Sequence, residues 1–402
     1  MLSKFPLAKL TFLIAILTAV GQMTQTMYVP SIGQMAQEFR VDPAMLQAVM
    51  ACYLIPYGLS QFVYGPLSDK LGRKPIILVG LAIYLIGAVI SLFAHSFELF
   101  LLGSFIQGAG IGSGGAMSRT LSRDCFSGEE LHRANSIISM CVIFSPLLAP
   151  VLGGVFTETL GWRSSYLFLT LFAVAVVIVM ASKLMETLPE DRRSKSSAME
   201  NYRFVLSDRR FQGYVICLVA TFAGVAVFEA AAGVLFGGVL KLSALTVSIL
   251  FVMPIPGYLL GAGFSSMLAK RYGTSTAFKF GLAAIVLGSI VVLLPGLQGA
   301  TDAWTLTFGS TVYFLGAGVL FPAATTGALT PFPNHAGTGG AVLGGMQNLG
   351  AGLATLSASV IPATSQLPLG VIMLIMALLA MFGLHIANRD RGHDNSNDAV
   401  MV

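Results

Sequence analysis

The 402-residue chain has little charge: Asp, Glu, Lys and Arg make up 10% of it, whereas a soluble domain carries about 25%. Hydrophobic residues make up 55%, and the mean hydropathy is +0.80. A soluble protein with this composition would lack the charge to keep its surface hydrated. The composition therefore excludes a soluble enzyme, a disordered chain and a nucleic-acid-binding domain. The net charge of +5 is better explained by basic loops on the cytoplasmic side of a membrane.

Residues for disulfides, metals and catalysis are also sparse. The four cysteines form no Cys-x-x-Cys pair, and the five histidines have no metal-ligand spacing. We expect neither a disulfide framework nor a metal site, no cofactor, no catalytic residues and no enzyme activity. The N-terminal apolar run lacks a small-residue cleavage site and is followed by further runs, which favours a first membrane helix over a removed signal.

Long apolar runs are what the chain has instead. A spanning helix needs about 20 mostly apolar residues, and we predict twelve. They lie near 7–29, 44–67, 76–95, 99–121, 135–157, 163–183, 211–237, 244–268, 276–297, 304–330, 337–360 and 367–388. The predicted fold class is an all-α integral membrane protein with twelve transmembrane helices.

The distribution of Lys and Arg predicts the orientation. With a cytoplasmic N-terminus, all but three of the 23 basic residues fall on the cytoplasmic side. The three on the outer side are Arg40, Arg163 and Lys241. This asymmetry predicts that both termini are cytoplasmic and that the number of spans is even.

A charged stretch and an internal repeat divide the chain in two. We predict a six-helix half at 1–188, a cytoplasmic linker at 189–210, a second six-helix half at 211–388 and a polar cytoplasmic tail at 389–402, expected to be disordered. The segment 67–72 (LSDKLG) recurs 201 residues later as 268–273 (LAKRYG). Gly108-Ala109-Gly110 has a counterpart in Gly316-Ala317-Gly318. Together these matches indicate two parallel six-helix repeats.

The loop after the second predicted helix has the sequence GPLSDKLGRK, residues 65–74. This loop resembles the signature of the major facilitator superfamily, and the resemblance extends over the whole chain. It implies a conformational latch between the two halves, for which the candidate residues are Gly65, Asp69, Gly72, Arg73, Arg119 and Asp124. Asp69 would lie near the N-terminal end of the eleventh helix, where the helix dipole favours an anion. Arg73, four residues further on, is expected to pair with Asp124 below the fourth helix. The alternative is a basic loop that only sets topology.

The fifth predicted helix contains SPLLAPVLGG, residues 145–154. It resembles the antiporter signature of the drug/proton subgroup, carried here by Pro146, Pro150, Gly153 and Gly154, with Ala149 in place of the first glycine. Prolines bend a helix and paired glycines allow a neighbouring backbone to approach. Generic small-residue packing is the alternative explanation.

Two departures from the superfamily concern charge. Ser104 stands where relatives often place an Arg, and Gln22 and Gln25 stand where many carry an acid. A proton mechanism borrowed from those relatives therefore does not transfer to these positions.

Glu229 is the candidate proton carrier. Of the 18 acids, it alone lies well inside a predicted span. A charge near the membrane centre costs at least about 2.5–3.5 kcal/mol, so an intramembrane acid is a functional candidate. Apolar surroundings favour its neutral, protonated form, as proton coupling requires. The alternative is an acid close enough to the outer end of the helix to reach water.

A stripe of polar side chains predicts a substrate cavity. Tyr53, Tyr57, Gln61 and Tyr64 share one helix face, and lipid offers such groups no partners. Aromatic and Met side chains suit a wall that adapts to many hydrophobic or cationic ligands. The other cavity candidates are Gln22, Gln25, Phe228, Met253, Tyr313 and Gln347. Taken singly, a Met or Phe is more often helix packing or lipid-facing surface.

The resemblance implies a proton-coupled multidrug antiporter that exports amphipathic, often cationic compounds by alternating access. We expect a monomer in a bacterial cytoplasmic membrane, with the lipid bilayer, small hydrophobic drugs and protons as partners and no nucleic acid. No cofactor is expected, since the proton gradient would drive transport. The alternatives are a transporter of one neutral metabolite, a sugar or an amino acid, and a non-transporting membrane receptor.

Overall fold

A computed structural model describes residues 6–190, 193, 198–332 and 336–398, and every regular element in those ranges is helical. Helices suit these runs because a membrane offers backbone groups no partners, so each segment must satisfy its own. The helices are α1 Leu7–Thr26, α2 Ile32–Phe39, α3 Gln47–Leu71, α4 Arg73–Leu92, α5 Phe97–Cys125, α6 Gly128–Leu160, α7 Arg163–Lys183, α8 Ala198–Ser207, α9 Arg209–Ala232, α10 Ala244–Val252, α11 Ile255–Tyr272, α12 Thr274–Leu297, α13 Ala303–Leu329, α14 Ala336–Ser359 and α15 Leu367–Asp398.

These helices account for the twelve predicted spans. Within the described part of the chain, ten helical runs are long and apolar enough to cross a membrane, and α6 contributes a shorter apolar segment, Phe144–Leu160. The remaining predicted span, 337–360, corresponds to α14. The chain is therefore a multi-pass membrane protein. Three details differ from the sequence-based boundaries. A π-helical turn, Gly233–Val239, prolongs α9; the eighth span is broken into α10 and α11 at Met253-Pro254; and α15 continues to Asp398, inside the segment expected to be a disordered tail.

The chain consists of two structural units. Unit 1 comprises Met1–Ser196 and Ala232–Val252, and unit 2 comprises Ser197–Ala231 and Met253–Val402. In unit 1, α5 packs against α3 and α4, while α6 packs against α1 and α10. In unit 2, α13 packs against α11 and α12, and α15 packs against α12. The segment 232–252 lies in the predicted second half of the sequence, yet it packs within unit 1.

The turn after the repeated loop segment has the same backbone in both units. Gly72 ends α3 with φ 103° and ψ 160°, and Gly273 ends α11 with φ 86° and ψ 155°. A residue with a side chain rarely adopts φ in this range, which explains why glycine stands at both places. The matching turns, 201 residues apart, support the predicted repeat.

The repeat is also visible where two helices of each unit touch. A Cβ atom at Gly87 of α4 would lie 2.6 Å from the carbonyl oxygen of Gly103 in α5. In unit 2, a Cβ atom at Gly288 of α12 would lie 2.5 Å from the carbonyl oxygen of Gly309 in α13. Both helix pairs therefore approach backbone to backbone, as small residues permit in membranes.

The same contacts correct the register of the glycine repeat. A Cβ atom at Gly110 would lie 2.5 Å from the carbonyl oxygen of Gly80 in α4. A Cβ atom at Gly316 would lie 2.6 Å from the carbonyl oxygen of Gly281 in α12. Gly316 is thus the counterpart of Gly110, whereas the sequence comparison had aligned it with Gly108. Matching triplets of small residues could not resolve a shift of two positions.

Candidate functional site

A buried guanidinium organises the loop that resembles the superfamily signature. Arg73 is only 6% exposed. Its Nη1 donates to Asp69 Oδ1 at 2.5 Å and to Ser68 Oγ at 2.7 Å, and its Nε donates to Asp124 Oδ2 at 3.0 Å. The predicted pairing of Arg73 with Asp124 is therefore present. A buried base held by two acids fixes the start of α4 to the end of α5.

For the other latch candidates the structure describes fewer contacts. Gly65 lies on α3, where its carbonyl oxygen accepts from Ser68 Oγ at 2.7 Å. The backbone of Arg119 belongs to α5, but its side chain lies outside the described part of the structure. The proximity of Asp69 to the eleventh predicted helix stays a prediction.

Glu186 is a member of this cluster that sequence reasoning did not single out. Its carboxylate accepts from the backbone N–H groups of Arg73 at 2.8 Å and Lys74 at 3.1 Å, the first residues of α4. It thereby supplies an anion to a helix N-terminus that lacks a cap of its own. A Cβ atom at Gly72 would lie 2.6 Å from Glu186 Oε2, so the glycine also makes room for this contact.

Thr187 adds a second contact from the same segment, donating from Oγ1 to Asp124 Oδ2 at 3.1 Å. The segment after α7 therefore contacts both the start of α4, through Glu186, and Asp124 at the end of α5, through Thr187. The sequence signal was weak, because Glu186 and Thr187 stand at the start of a polar stretch in which several charged residues look alike.

The glycine pair of the antiporter-like segment lies between two neighbours of α6. A Cβ atom at Gly153 would lie 2.0 Å from the carbonyl oxygen of Met27, just after α1. A Cβ atom at Gly154 would lie 2.1 Å from Ser248 Oγ of α10. Ser248 Oγ in turn donates to the carbonyl oxygen of Pro150 at 2.7 Å. The segment therefore permits close backbone approach on both sides of α6, as its sequence predicted.

The remaining positions of this segment lie in the same contact. Pro146 and Pro150 are both inside α6. Ala149 is fully buried in a cluster with Met23, Met27 and Leu169. A small residue at position 149 is what this packing requires, and alanine meets the requirement as glycine would.

The polar stripe on α3 is buried in unit 1. Tyr53 donates from its hydroxyl to the carbonyl oxygen of Gly21 in α1 at 2.8 Å, and its ring meets that of Tyr57 edge-on at 5.7 Å. A Cβ atom at Gly115 of α5 would lie 2.7 Å from the Tyr57 ring and 3.1 Å from Gln61 Nε2. Tyr64 is also buried. Tyr57 and Gln61 thus contact α5.

A small polar pocket lies beside Tyr53, within unit 1. Its volume of about 10 Å³ has room for about one water molecule. Gln107 is 1% exposed, and its Nε2 has no hydrogen-bond partner among the described residues. Ser104, which replaces the Arg of many relatives, lines the same pocket with Gln25. Gln22 lies on α1 and is half-buried.

Glu229 lies in unit 2 on α9, three residues before that helix ends, and the π-helical turn carries the span on for seven more. Its side chain is only 7% exposed. The acid is therefore held inside an apolar helix, where its charge is costly.

Unit 2 also contains the aromatic candidates for the cavity. Phe228 meets Phe314 of α13 edge-on at 5.6 Å. Tyr313 is fully buried. A Cβ atom at Gly224 would lie 1.9 Å from the Tyr313 hydroxyl oxygen, so the absence of a side chain at Gly224 leaves room for this hydroxyl. Gln347 is half-buried on α14. Met253 is 43% exposed in the break before α11. A single cavity shared by these residues and the α3 stripe stays a prediction.

Among the described residues, no group of three His, Cys, Asp or Glu side chains is placed to hold a metal ion.

Comparisons with known proteins agree with this architecture. The family model described as Major Facilitator Superfamily matches residues 14–355. Multidrug resistance protein D of Escherichia coli (strain K12) is 41% identical over 370 residues, covering 92% of this chain and 93% of that protein. The chloramphenicol resistance protein of Pseudomonas aeruginosa is 26% identical, covering 99% and 95%.

A solved structure shares the fold. The human organic anion transporter MFSD10 (TETRAN) superposes with a TM-score of 0.68 at 19% identity, covering 95% of this chain and all of that one. With the family match over most of the chain and a relative above 40% identity, this chain belongs to the Major Facilitator Superfamily.

Proposed function

We propose that the chain is a proton-coupled multidrug exporter of a bacterial cytoplasmic membrane, with both termini in the cytoplasm. The observation that carries the proposal is Glu229, an acid that is 7% exposed inside an apolar span. The 41% identity to a multidrug resistance protein supports the class of substrate. Amphipathic, often cationic compounds are the proposed cargo.

Glu229 would carry the proton. An acid in apolar surroundings is stable when neutral, and it becomes an anion only when a cation or water replaces the proton. Protonation from the outer side and release to the cytoplasm would alternate with binding of a cationic drug. The proton gradient would then expel drug, and no cofactor is needed.

The Arg73 cluster would serve as the latch. Asp69 keeps its carboxylate 45% exposed while Asp124 is 18% exposed, so Asp69 has access to a further partner. The pairing with Arg73 would hold Asp69 in place for that partner in one conformation of the transport cycle. Gly65, Gly72 and Arg119 are proposed members of the same device.

The test uses purified protein in inside-out proteoliposomes with an acidic lumen. Uptake of a lipophilic cationic dye is followed for wild type, Glu229→Gln and Glu98→Gln, the last an exposed acid at the start of α5. We expect gradient-dependent uptake in wild type and Glu98→Gln. Uptake by Glu229→Gln should fall to that of protein-free vesicles.

Other outcomes are informative. Dye uptake that persists in Glu229→Gln would support the export function but would mean that another group carries the proton. Failure of wild type to move any of several dyes would favour a carrier of one neutral metabolite, and absence of flux for metabolites as well would favour a receptor. Circular dichroism of each variant checks that the helices are retained.

A further inference from the structure

Unit 1 contains a second cavity, far larger than the pocket beside Tyr53. Its volume is about 540 Å³, within the range of small-molecule sites. The polar and charged side chains in its wall are Gln34, Gln37, Arg40, Glu158, Lys241 and Ser243. They come from α2 and the residue that follows it, the end of α6, and the segment between the π-helical turn and α10. None of these residues belongs to the proposed transport site.

Two residues of this wall share an unusual backbone. Within the described part of the chain, Arg40 and Lys241 are the two non-glycine residues with positive φ, at 56° and 54°. They are also 201 residues apart, the offset of the internal repeat. The two repeats thus place a basic residue with positive φ at equivalent positions, and both residues line one cavity.

This conformation has an energetic cost. A left-handed residue with a long side chain is disfavoured, and glycine is the ordinary choice where a helix ends this way. A base at a helix C-terminus complements the helix dipole, which gives each residue one structural reason. That reason does not require the side chain to face a cavity. Backbone strain of this kind is concentrated at ligand sites.

The charges of the cavity are not balanced. Among the described residues, neither Arg40 nor Lys241 has a side-chain hydrogen bond or ion pair. The one acid in the wall, Glu158, already accepts from the N–H of Leu245 at 2.9 Å through Oε1. Two exposed bases therefore line the cavity with a single acid, which is also exposed and has one oxygen engaged.

We propose that this cavity binds an organic phosphate ester, with the phosphate between Arg40 and Lys241. Arg and Lys are the side chains that bind phosphate, Arg through its planar fork. The volume exceeds what a bare phosphate ion would fill, so an ester with further polar groups fits better. Gln34 and Gln37 can bond such groups, and the second oxygen of Glu158 can accept from a hydroxyl. The bound phosphate ester is either a phospholipid headgroup or a soluble glycerophosphate.

Binding would have a mechanical consequence. A phosphate held by both bases joins α2 to the segment 232–252, which packs in unit 1. The ligand would therefore strengthen this packing by its own binding free energy. This proposal stands independently of drug export.

The experiment measures equilibrium binding to purified protein in uncharged detergent. The probes are dihexanoyl phosphatidylglycerol, sn-glycerol 3-phosphate and dihexanoylglycerol, the last of which lacks phosphate. The variant Arg40→Asn with Lys241→Asn removes both charges, and Asn tolerates positive φ. The control Arg271→Gln with Lys279→Gln removes an Arg and a Lys outside the cavity wall. Each single Asn variant is measured as well, in case the double variant does not fold.

We expect phosphatidylglycerol to bind wild type and the control, and the double Asn variant to bind at least about tenfold more weakly, because charge-assisted hydrogen bonds are the strong class. Dihexanoylglycerol should not bind. Competition by sn-glycerol 3-phosphate at similar concentration would identify a soluble ester as the source, and its failure to compete would identify the lipid. Equal binding by wild type and the Asn variants, or equal loss in the control, would overturn the proposal.

Discussion

The contact between α6 and α10 in unit 1 allows one prediction to be worked out in detail. A Cβ atom at Gly154 would lie 2.1 Å from Ser248 Oγ, 3.2 Å from Ser248 Cβ and 3.0 Å from the carbonyl oxygen of Ala244. Ser248 Oγ donates to the carbonyl oxygen of Pro150 at 2.7 Å. Gly154→Ala must therefore either move α10 away from α6 or rotate the Ser248 hydroxyl out of this hydrogen bond.

The cost follows from these distances. Overpacking at a helix contact typically costs about 1–3 kcal/mol. Ser248→Ala alone loses one hydrogen bond, about 0.5–1.5 kcal/mol. In the double variant the clashing oxygen is gone, and the nearest remaining atom is 3.0 Å away. The two changes should therefore couple favourably, by about 0.5–3 kcal/mol as for residues in contact.

The assay is equilibrium unfolding in mixed detergent micelles, followed by the helical circular dichroism signal. Gly263→Ala is the matched control, because nothing lies within 4 Å of its added Cβ atom on α11. Gly154→Ala should be less stable than this control, and the double variant should be no less stable than Gly154→Ala. Strict additivity of the two single changes, or a Gly154→Ala protein as stable as Gly263→Ala, would refute the packing argument.

Two further substitutions test the site described for unit 1. Glu186→Gln removes the anion that accepts from the N–H groups of Arg73 and Lys74. It should lower the free energy of unfolding by about 0.5–2 kcal/mol, as for the loss of a helix cap, and an unchanged value would contradict the capping role. Tyr53→Phe removes the hydrogen bond to the carbonyl oxygen of Gly21 and should cost about 0.5–1.5 kcal/mol in the same assay. No loss there would mean that water replaces the phenol.

The spans could be predicted because membrane helices have a physical signal along the sequence. Inside a membrane, an apolar run of sufficient length must form a helix to satisfy its backbone groups. Each predicted span is accordingly helical in the structure. The pairing of Arg73 with Asp124 was also predictable, because an acid and a base at the same ends of neighbouring helices tend to meet. The glycine pair 153–154 likewise predicted close approach before the approaching neighbours were known.

Other features depend on tertiary placement and left no local signal. Glu186 resembles the other acids near it, and only the path of the chain after α7 brings it to the start of α4. The packing of 232–252 in unit 1 cannot be read from a segment that continues an ordinary span. The register error between Gly108 and Gly316 arose because many small residues in sequence look alike until their neighbours are seen.

Movement of drug and proton in opposite directions through this chain can be measured from the proton side. Proteoliposomes loaded with a pH-sensitive fluorophore start without a pH gradient, and a gradient of cationic dye is imposed across the membrane. We expect dye flux to drive proton flux in the opposite direction in wild type, and Glu229→Gln to abolish this proton flux. Dye flux in wild type without any proton flux, or the same proton flux in Glu229→Gln, would contradict this expectation.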